Sequence, residues 1–365
     1  MKNKKLIFEN GAVFEGKGFG ADIETIQEVV FNTSMVGYQE IFSDPSYLGQ
    51  MVCMTYPLIG NYGLTLEDYE TDHPFIGGFI VHEYNDQPSN FRHVKTLESD
   101  MKKFNIPGIL GVDTREITRM IRNEGSIRAL LTNHETSREQ GLKQIALTDE
   151  IHNHVMQASC LKQWKSCVPG AKYHVVVLDC GVKYNIIRTL KRRKCTVTVL
   201  PSNTTSKDIL KLLPDGMVIS NGPGNPQDNP EIINVIQQLQ GHLPIFGICL
   251  GHQLIALANG ARTFKMRFGH RGSNHPVKEI STNQIKITSQ NHSYAVDIST
   301  LKRTKLQLTH INLLDNTAEG LAIDTEDLFS VQYHPESSPG PNDNFYLFDK
   351  FIEKMEKRKQ SRRNY

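Results

Sequence analysis

What the chain has little of narrows its class before any motif is read. It has no Cys-x-x-Cys pair, and no cysteine stands at zinc-ligand spacing with histidine. Cysteines at 53, 160, 167, 180, 195 and 249 are scattered through 365 residues. Scattered thiols in a chain this long argue against a disulfide framework and for a reducing compartment. Charge of one sign is also scarce: Lys+Arg 41 against Asp+Glu 39 leaves +2. Nothing chain-wide therefore attracts nucleic acid or an anionic membrane, and neither is expected as a partner. Long apolar runs are missing. The most apolar stretch, 243–258, is broken by Gly247, Gly251, His252 and Gln253, so it falls short of a spanning helix. Behind Lys2, Lys4 and Lys5 only Leu6-Ile7-Phe8 is apolar, too short for the core of a signal peptide. No Gly-x-x-x-x-Gly-Lys-Ser/Thr loop occurs, so ATP chemistry is not expected of this chain.

What is present fits globular domains. Hydrophobic residues make up 38% and charged residues 22%, too apolar for disorder. At about 150 residues per domain the length suggests two. Residues 1–150 read as a β-rich α+β domain. Its first hairpin turns on Asn10-Gly11, expected as a two-residue turn with positive φ at both positions. Strand-like pieces follow at 28–31, 50–55 and 77–82. A helix starts at Asp113, with Glu116 completing a capping box. Periodicity fades over 151–171, which reads as a linker ending near Val168-Pro169-Gly170. From 172 to 358 strands and helices alternate. Val175 to Leu178, Thr196 to Leu200, Met217 to Ser220 and Leu243 to Ile248 are apolar runs of the kind buried on both faces. Each is followed by a segment of helical spacing. Successive βα units predict a doubly wound, mostly parallel α/β sheet, with ligands at the carboxyl ends of its strands. Residues 359–365 read as a solvated basic tail.

Those strand ends carry the chemistry. Cys249 lies in Gly247-Ile248-Cys249-Leu250-Gly251, the thiol form of the Gly-x-Ser-x-Gly elbow that presents a nucleophile on a tight strand-to-helix turn. The glycines let helix and strand approach where a Cβ would intrude. The helix N-terminus favours thiolate over thiol, and the N–H of Leu250 is placed to donate to an oxyanion. A buried Cys in an ordinary βα turn is the plainer alternative. At a neighbouring strand end, Ser220-Asn221-Gly222-Pro223-Gly224-Asn225-Pro226 is a rigid turn with bare N–H groups, and taken alone it is only a turn. In Gln332-Tyr333-His334-Pro335-Glu336, strand alternation puts 334 and 336 on one side. Glu336 is then placed to hold the imidazole of His334 while its other nitrogen faces Cys249. Nucleophile, base and orienting acid form a triad suited to acyl transfer through a thioester with release of an amine or ammonia.

These motifs resemble the triad (class I) glutamine amidotransferases, with His252-Gln253 after the elbow, Asn221-Gly222-Pro223-Gly224 upstream and His334-Pro335-Glu336 downstream. Residues 265–276, Gln290-Asn291-His292 and N-terminal segments such as Gly37-Tyr38-Gln39-Glu40, Asp44-Pro45-Ser46-Tyr47 and Asp113-Thr114-Arg115 narrow the resemblance to carbamoyl-phosphate synthase small chains, over practically the whole chain. The resemblance implies a glutaminase subunit. It would hydrolyse L-glutamine to glutamate and pass ammonia to a large chain. That partner would make carbamoyl phosphate from bicarbonate and ATP, for arginine and pyrimidine synthesis. It assigns Cys249, His334 and Glu336 to catalysis. Glutamine binding falls to Ser46, Gly222, Gly224, Leu250, Gln253, Asn291, Ser293 and Tyr294, partly through backbone groups. No metal or cofactor is expected on this chain, since ATP and magnesium would sit on the large one. A cytoplasmic or plastid-stromal location is implied.

Two positions depart from the family's commonest pattern: Asn225 stands in place of Asp, and Ser293 in place of Gly. A positive φ at 293 would impose strain on the serine. His270 and His275 lack a carboxylate at ligand spacing, which argues against a metal. The rival readings are a glutaminase serving another synthase and a catalytically dead scaffolding subunit.

Overall fold

The computed structural model describes residues 2–149 and 152–363. The chain divides into two compact units, Met1–His152 and Asn153–Tyr365.

The first unit contains strands β1 (Asn3–Phe8), β2 (Val13–Gly20), β3 (Thr25–Asn32), β4 (Gln50–Met54), β5 (Leu58–Ile59), β6 (Gly78–Val81), β7 (Glu83–Tyr84), β8 (Pro107–Leu110) and β9 (Ile127–Asn133). A closed barrel runs β1-β2-β8-β6-β4-β3-β9, leaving no open edge for another chain to pair with. Helices α1 (Tyr38–Ser43), α2 (Leu97–Lys103), α3 (Thr114–Glu124) and α4 (Arg138–Leu147) join them. The first turn differs from expectation. Phe8 N–H bonds to Ala12 O and Gly11 N–H to Phe8 O, and of Asn10 and Gly11 only Gly11 has positive φ. The loop is therefore three residues closed by one left-handed glycine. Asp113 caps α3 by accepting from Glu116 N–H at 2.8 Å. The full reciprocal box is at Ser137 and Gln140 of α4.

The second unit opens with α5 (His154–Ala158) and β10 (Trp164–Ser166), both inside the stretch expected to be linker. Strand β10 pairs antiparallel with β12. A three-residue strand shows no periodicity, so sequence patterning did not register it. The βα units follow as β11 (Tyr173–Asp179), α6 (Tyr184–Arg192), β12 (Cys195–Pro201), α7 (Ser206–Lys211), β13 (Gly216–Ile219), α8 (Pro230–Leu239), β14 (Ile245–Ile248) and α9 (Leu250–Ala258). Beyond them lie β15 (Thr263–Glu279), β16 (Ile285–Val296), β17 (Gln307–Asn312), β18 (Ala318–Ile323), β19 (Leu328–Val331) and α10 (Tyr346–Arg363). Helix α10 takes in residues 359–363, which were expected to fray, and Lys359 Nζ lies 3.4 Å from Asp215. The sheet order is β10-β12-β11-β13-β14-β19-β18-β17-β15-β16, parallel from β12 to β19 and antiparallel outside that span.

Alternation along the parallel strands fills a layer on each face. Val176, Leu178, Met217, Ile219 and Ile245 pack with α8 and α9. Val175, Val177, Val218, Phe246 and Ile248 pack with α6 and α10. Phe246 stacks on Phe329 with centroids 4.5 Å apart and meets Phe348 edge-on.

The junction of β14 and α9 is closely packed. A Cβ on Gly251 would stand 2.3 Å from Ile219 O, and one on Gly247 would stand 2.5 Å from Ile255 Cδ1. Ile219 O belongs to a central strand and cannot move aside. Gly251→Ala is expected to lower the stability of the chain by about 1–3 kcal/mol, read by chemical denaturation; an unchanged midpoint would contradict this account of the junction.

Candidate active site

Cys249 is the residue between β14 and α9, and the turn forces it to φ 53° and ψ −101°. A left-handed φ on a non-glycine residue costs about 1–3 kcal/mol and persists only where the surroundings impose it. Here the Cys249 N–H is held by Val331 O at 2.9 Å, while its carbonyl accepts from the N–H groups of His252 and Gln253. The thiol is buried among its neighbours, with Sγ donating to Asn291 O at 3.5 Å.

Strand β19 pairs in parallel with β14, with Val331 opposite Ile248. The chain beyond β19 therefore passes beside Cys249. Gln332 N–H bonds to Glu319 O and His334 N–H to Ser289 O, which holds the segment between two neighbours. The chain bends at 332–333 and turns at 335–336, with Ser337 N–H returning to His334 O at 3.2 Å, so the strand alternation expected of 334 and 336 does not apply. His334 Nδ1 lies 2.7 Å from Glu336 Oε1. Its Nε2 is buried with no well-directed hydrogen bond among the described residues, and Cys249 is close enough to favour its charged form. Burial opposes an imidazolium here. The Glu336 carboxylate and Cys249 together outweigh that and raise the affinity of His334 for its proton, with Lys183 working against them. Glu336 itself is fully buried and is held down to about 2, burial being overcome by Lys183 and His334.

Lys183 and Asn185 were not found by reading the sequence. Lys183 Nζ is 3.0 Å from Glu336 Oε1 and donates to Ser337 O at 2.6 Å, while Asn185 Nδ2 donates to Glu336 O. Both follow the carboxyl end of β11, where the rule for doubly wound sheets says to look. The turn after β13 is close by: Asn221 Oδ1 accepts from Lys183 N–H at 3.2 Å. Gly222 is packed so that a Cβ would meet Cys180 O at 2.1 Å, and Gly224 has φ +85°. On β16, Asn291 faces the thiol through its carbonyl, and Tyr294 O accepts from Gln253 Nε2 at 2.8 Å. Cys249, Leu250, Gln253, Asn291, His334 and Glu336 thus gather at the ends of β14 and β19. Ser46 lies in the first unit, buried in the turn Pro45–Tyr47, where its N–H is capped by Asp44 Oδ1 at 2.9 Å.

Both units resemble known protein families. Residues 176–354 match the family model "Glutamine amidotransferase class-I", and residues 6–131 match "Carbamoyl-phosphate synthase small chain, CPSase domain". The "Carbamoyl phosphate synthase small chain" of Oceanobacillus iheyensis is 51% identical over 96% of this chain and 96% of its own. The "Carbamoyl phosphate synthase pyrimidine-specific small chain" of Bacillus subtilis is 51% identical over 97% of this chain and 96% of its own. The small chain of Staphylococcus epidermidis is 48% identical, covering 100% of this chain and 99% of its own. The chain belongs to the carbamoyl phosphate synthase small chain family.

For a small chain of this family, the two departures in sequence have local compensation. Asn225 Oδ1 caps the following turn through Gln227 N–H at 3.1 Å, as an aspartate would, and its amide donates to Asp228 at 3.4 Å. Ser293 does not have positive φ, so the strain considered above is absent. Its hydroxyl accepts from the Arg271 guanidinium. His252 bonds Ser330 Oγ at 2.9 Å, and burial lowers it to about 3, a neutral packing histidine. Among the described residues no helix is long and apolar enough to cross a membrane.

Glu319 is not visible from residue spacing. The fold brings it to His270 and His292, with one donor atom of each within 4.8 Å of the others. Glu319 accepts from Asn312 at 3.0 Å and Gln290 at 2.9 Å, and His270 Nε2 meets Asp315 at 2.9 Å. The cluster is a closed network of ion pairs and hydrogen bonds. Burial opposes the charge on His270, but Asp315 and Glu319 prevail and raise it to about 9. Burial, helped by the charge on His270, lowers His275 to about 4, and burial, helped by Lys350 and Lys286, does the same to His310.

These shifts fix a pH dependence. Against an unfolded value of about 6.5, the raised His270 contributes stability that is whole below that pH and lost as pH climbs through about 9. His334 acts in the same direction. The depressed His252, His275 and His310 contribute stability present above about 6.5 and lost as pH falls towards about 4. The thermal midpoint is expected to peak near neutrality and to decline on both sides. His270→Asn should flatten the alkaline decline; an unchanged alkaline slope would remove His270 from this account.

Proposed function

We propose that this chain is the glutaminase subunit of a glutamine-hydrolysing carbamoyl phosphate synthase. The observation that carries the reading is Cys249, strained at a helix N-terminus beside the free Nε2 of a histidine whose Nδ1 is fixed by a buried carboxylate. Cys249 Sγ gives its proton to His334 Nε2 and attacks the amide carbon of L-glutamine. The N–H of Leu250, with the bare turn at Gly222 and Gly224, receives the charge on the carbonyl oxygen. Collapse of that intermediate breaks the C–N bond, and His334 returns the proton to the leaving ammonia. Water, deprotonated by His334, then cleaves the thioester to glutamate and restores the thiol. Gln253, Asn291, Ser293 and Tyr294 bind glutamine, partly through backbone groups, and Ser46 is added on family resemblance.

The ammonia is consumed by a large chain that supplies the ATP chemistry and its magnesium, which accords with the lack of a phosphate-binding loop here. The product, carbamoyl phosphate, feeds pyrimidine and arginine synthesis, and the cytoplasm is the proposed location.

The test uses the chain assembled with that partner. Cys249→Ser should reduce glutamine-dependent synthesis by at least about 10³-fold, while synthesis from free ammonia persists. Loss of both activities in an intact complex would refute the division of labour.

His334→Asn should slow thioester formation and move the acidic limb of the pH profile to higher pH, since the thiol loses its proton acceptor. Glu336→Gln should cost less activity but about 3–5 kcal/mol of stability, because Lys183 is left as a buried cation. Ser46→Ala should raise KM more than it lowers kcat, and kinetics equal to the parent's would remove Ser46 from the site.

A further inference from the structure

Gln332 is not among the residues assigned above, yet it touches the sulfur. It lies just past the end of β19, two residues before His334. Its Nε2 lies 3.8 Å from Cys249 Sγ, within reach of an N–H···S bond. Gln332 is fully buried and Cys249 is 2% exposed, so water does not compete for the contact.

The polarity of that contact follows from a chain of hydrogen bonds. Tyr294 O is a backbone carbonyl and can only accept, so it fixes Gln253 with Nε2 facing it at 2.8 Å. The second N–H of Gln253 Nε2 then meets Gln332 Oε1 at 3.0 Å. With its oxygen committed to Gln253, Gln332 must turn its own Nε2 to the sulfur. The opposite orientation would set two amide NH2 groups against each other and a carbonyl oxygen against the sulfur. The backbone of Gln332 is fixed separately, through its N–H to Glu319 O at 2.9 Å.

The geometry points to Gln332 as a further catalytic residue, an amide donor that stabilises the Cys249 thiolate, with its orientation set from Tyr294 through Gln253. The thiol and the thiolate then have different partners. The S–H donates to Asn291 O at 3.5 Å, an acceptor that has nothing to offer an anion. When the proton passes to His334, the sulfur turns from donor to acceptor, and Gln332 Nε2 is already aimed at it. The donor is in place before the charge forms, so no reorganisation is needed at that moment. Because the relay begins on Tyr294 of β16, displacing that strand also changes the amide presented to the sulfur.

This inference rests on Cys249 being the nucleophile, and its test is separable from that reading. Alkylation of Cys249 by iodoacetamide is followed against pH in the full chain, with the Cys249 peptide quantified by mass spectrometry so that other thiols do not interfere. Gln332→Met keeps the volume and removes the donor; its alkylation midpoint should rise by about one pH unit. Gln332→Glu replaces the donor with a carboxylate and should raise the midpoint further. In both, kcat for glutamine hydrolysis should fall about 10-fold or more, with a smaller change in KM. A residue that merely packs would alter rates without moving the midpoint. Thermal unfolding identifies a variant that fails to fold, and the other then decides. A midpoint equal to the parent's in a folded variant overturns the proposal. Failure of the nucleophile reading looks different: Cys249→Ser would still hydrolyse glutamine.

Discussion

The site is organised by one buried carboxylate. Glu336 is wholly removed from water, where an isolated carboxylate would cost several kcal/mol. It is tolerated because Oε1 is shared by His334 Nδ1 at 2.7 Å and Lys183 Nζ at 3.0 Å. The two partners do opposite things to the imidazole. Glu336 favours the protonated ring and Lys183 disfavours it. Glu336 and Cys249 together prevail over burial and Lys183, so the imidazole keeps a raised proton affinity. Lys183 gives the buried carboxylate a counterion whether or not the imidazole is charged.

That carboxylate is reachable only because β19 sits where it does. Its parallel neighbour β14 delivers Cys249, and its antiparallel neighbour β18 delivers Glu319, whose backbone carbonyl receives Gln332. Past Val331 the chain leaves the regular ladder and bends, bridged to Ser289 at His334. The segment after β19 thus carries Gln332, His334 and Glu336. The parallel half of the sheet makes the elbow and the antiparallel half holds the residues around it.

What was legible in the sequence follows from how each element is stabilised. The βα units were legible because strands buried on both faces must be apolar throughout, as Val175 to Leu178 are. The elbow was legible because close packing at Gly251 permits no side chain. Strands β15 and β16 were not. They carry His270, Arg271, Gln290 and His292, polar residues buried by partners distant in the chain, and their register is interrupted between Lys265 and His270 and between Gly272 and His275. No period survives such interruptions. Lys183 and Glu319 were invisible for a related reason. A buried charge is explained only by its counterion, 153 residues away in one case (336 − 183) and 49 in the other (319 − 270).

The same distinction governs the departures from the family pattern. Judged by residue type, Ser293 for Gly threatens a backbone that needs left-handed geometry, and Asn225 for Asp threatens a cap. Neither consequence follows, because each position is defined by its contacts. The backbone at 293 is not left-handed, so a side chain is free of strain there, and the hydroxyl meets Arg271, whose guanidinium also donates to Phe268 O at 2.8 Å. That places a tethered cation beside the strand that faces the thiol. Asn225 keeps the cap through its oxygen and gains a donor towards Asp228 that a carboxylate lacks. The residues at these positions can change because the backbone carries the required geometry. At Gln332 the required feature is an amide with one end committed, and there the side chain itself is the constraint.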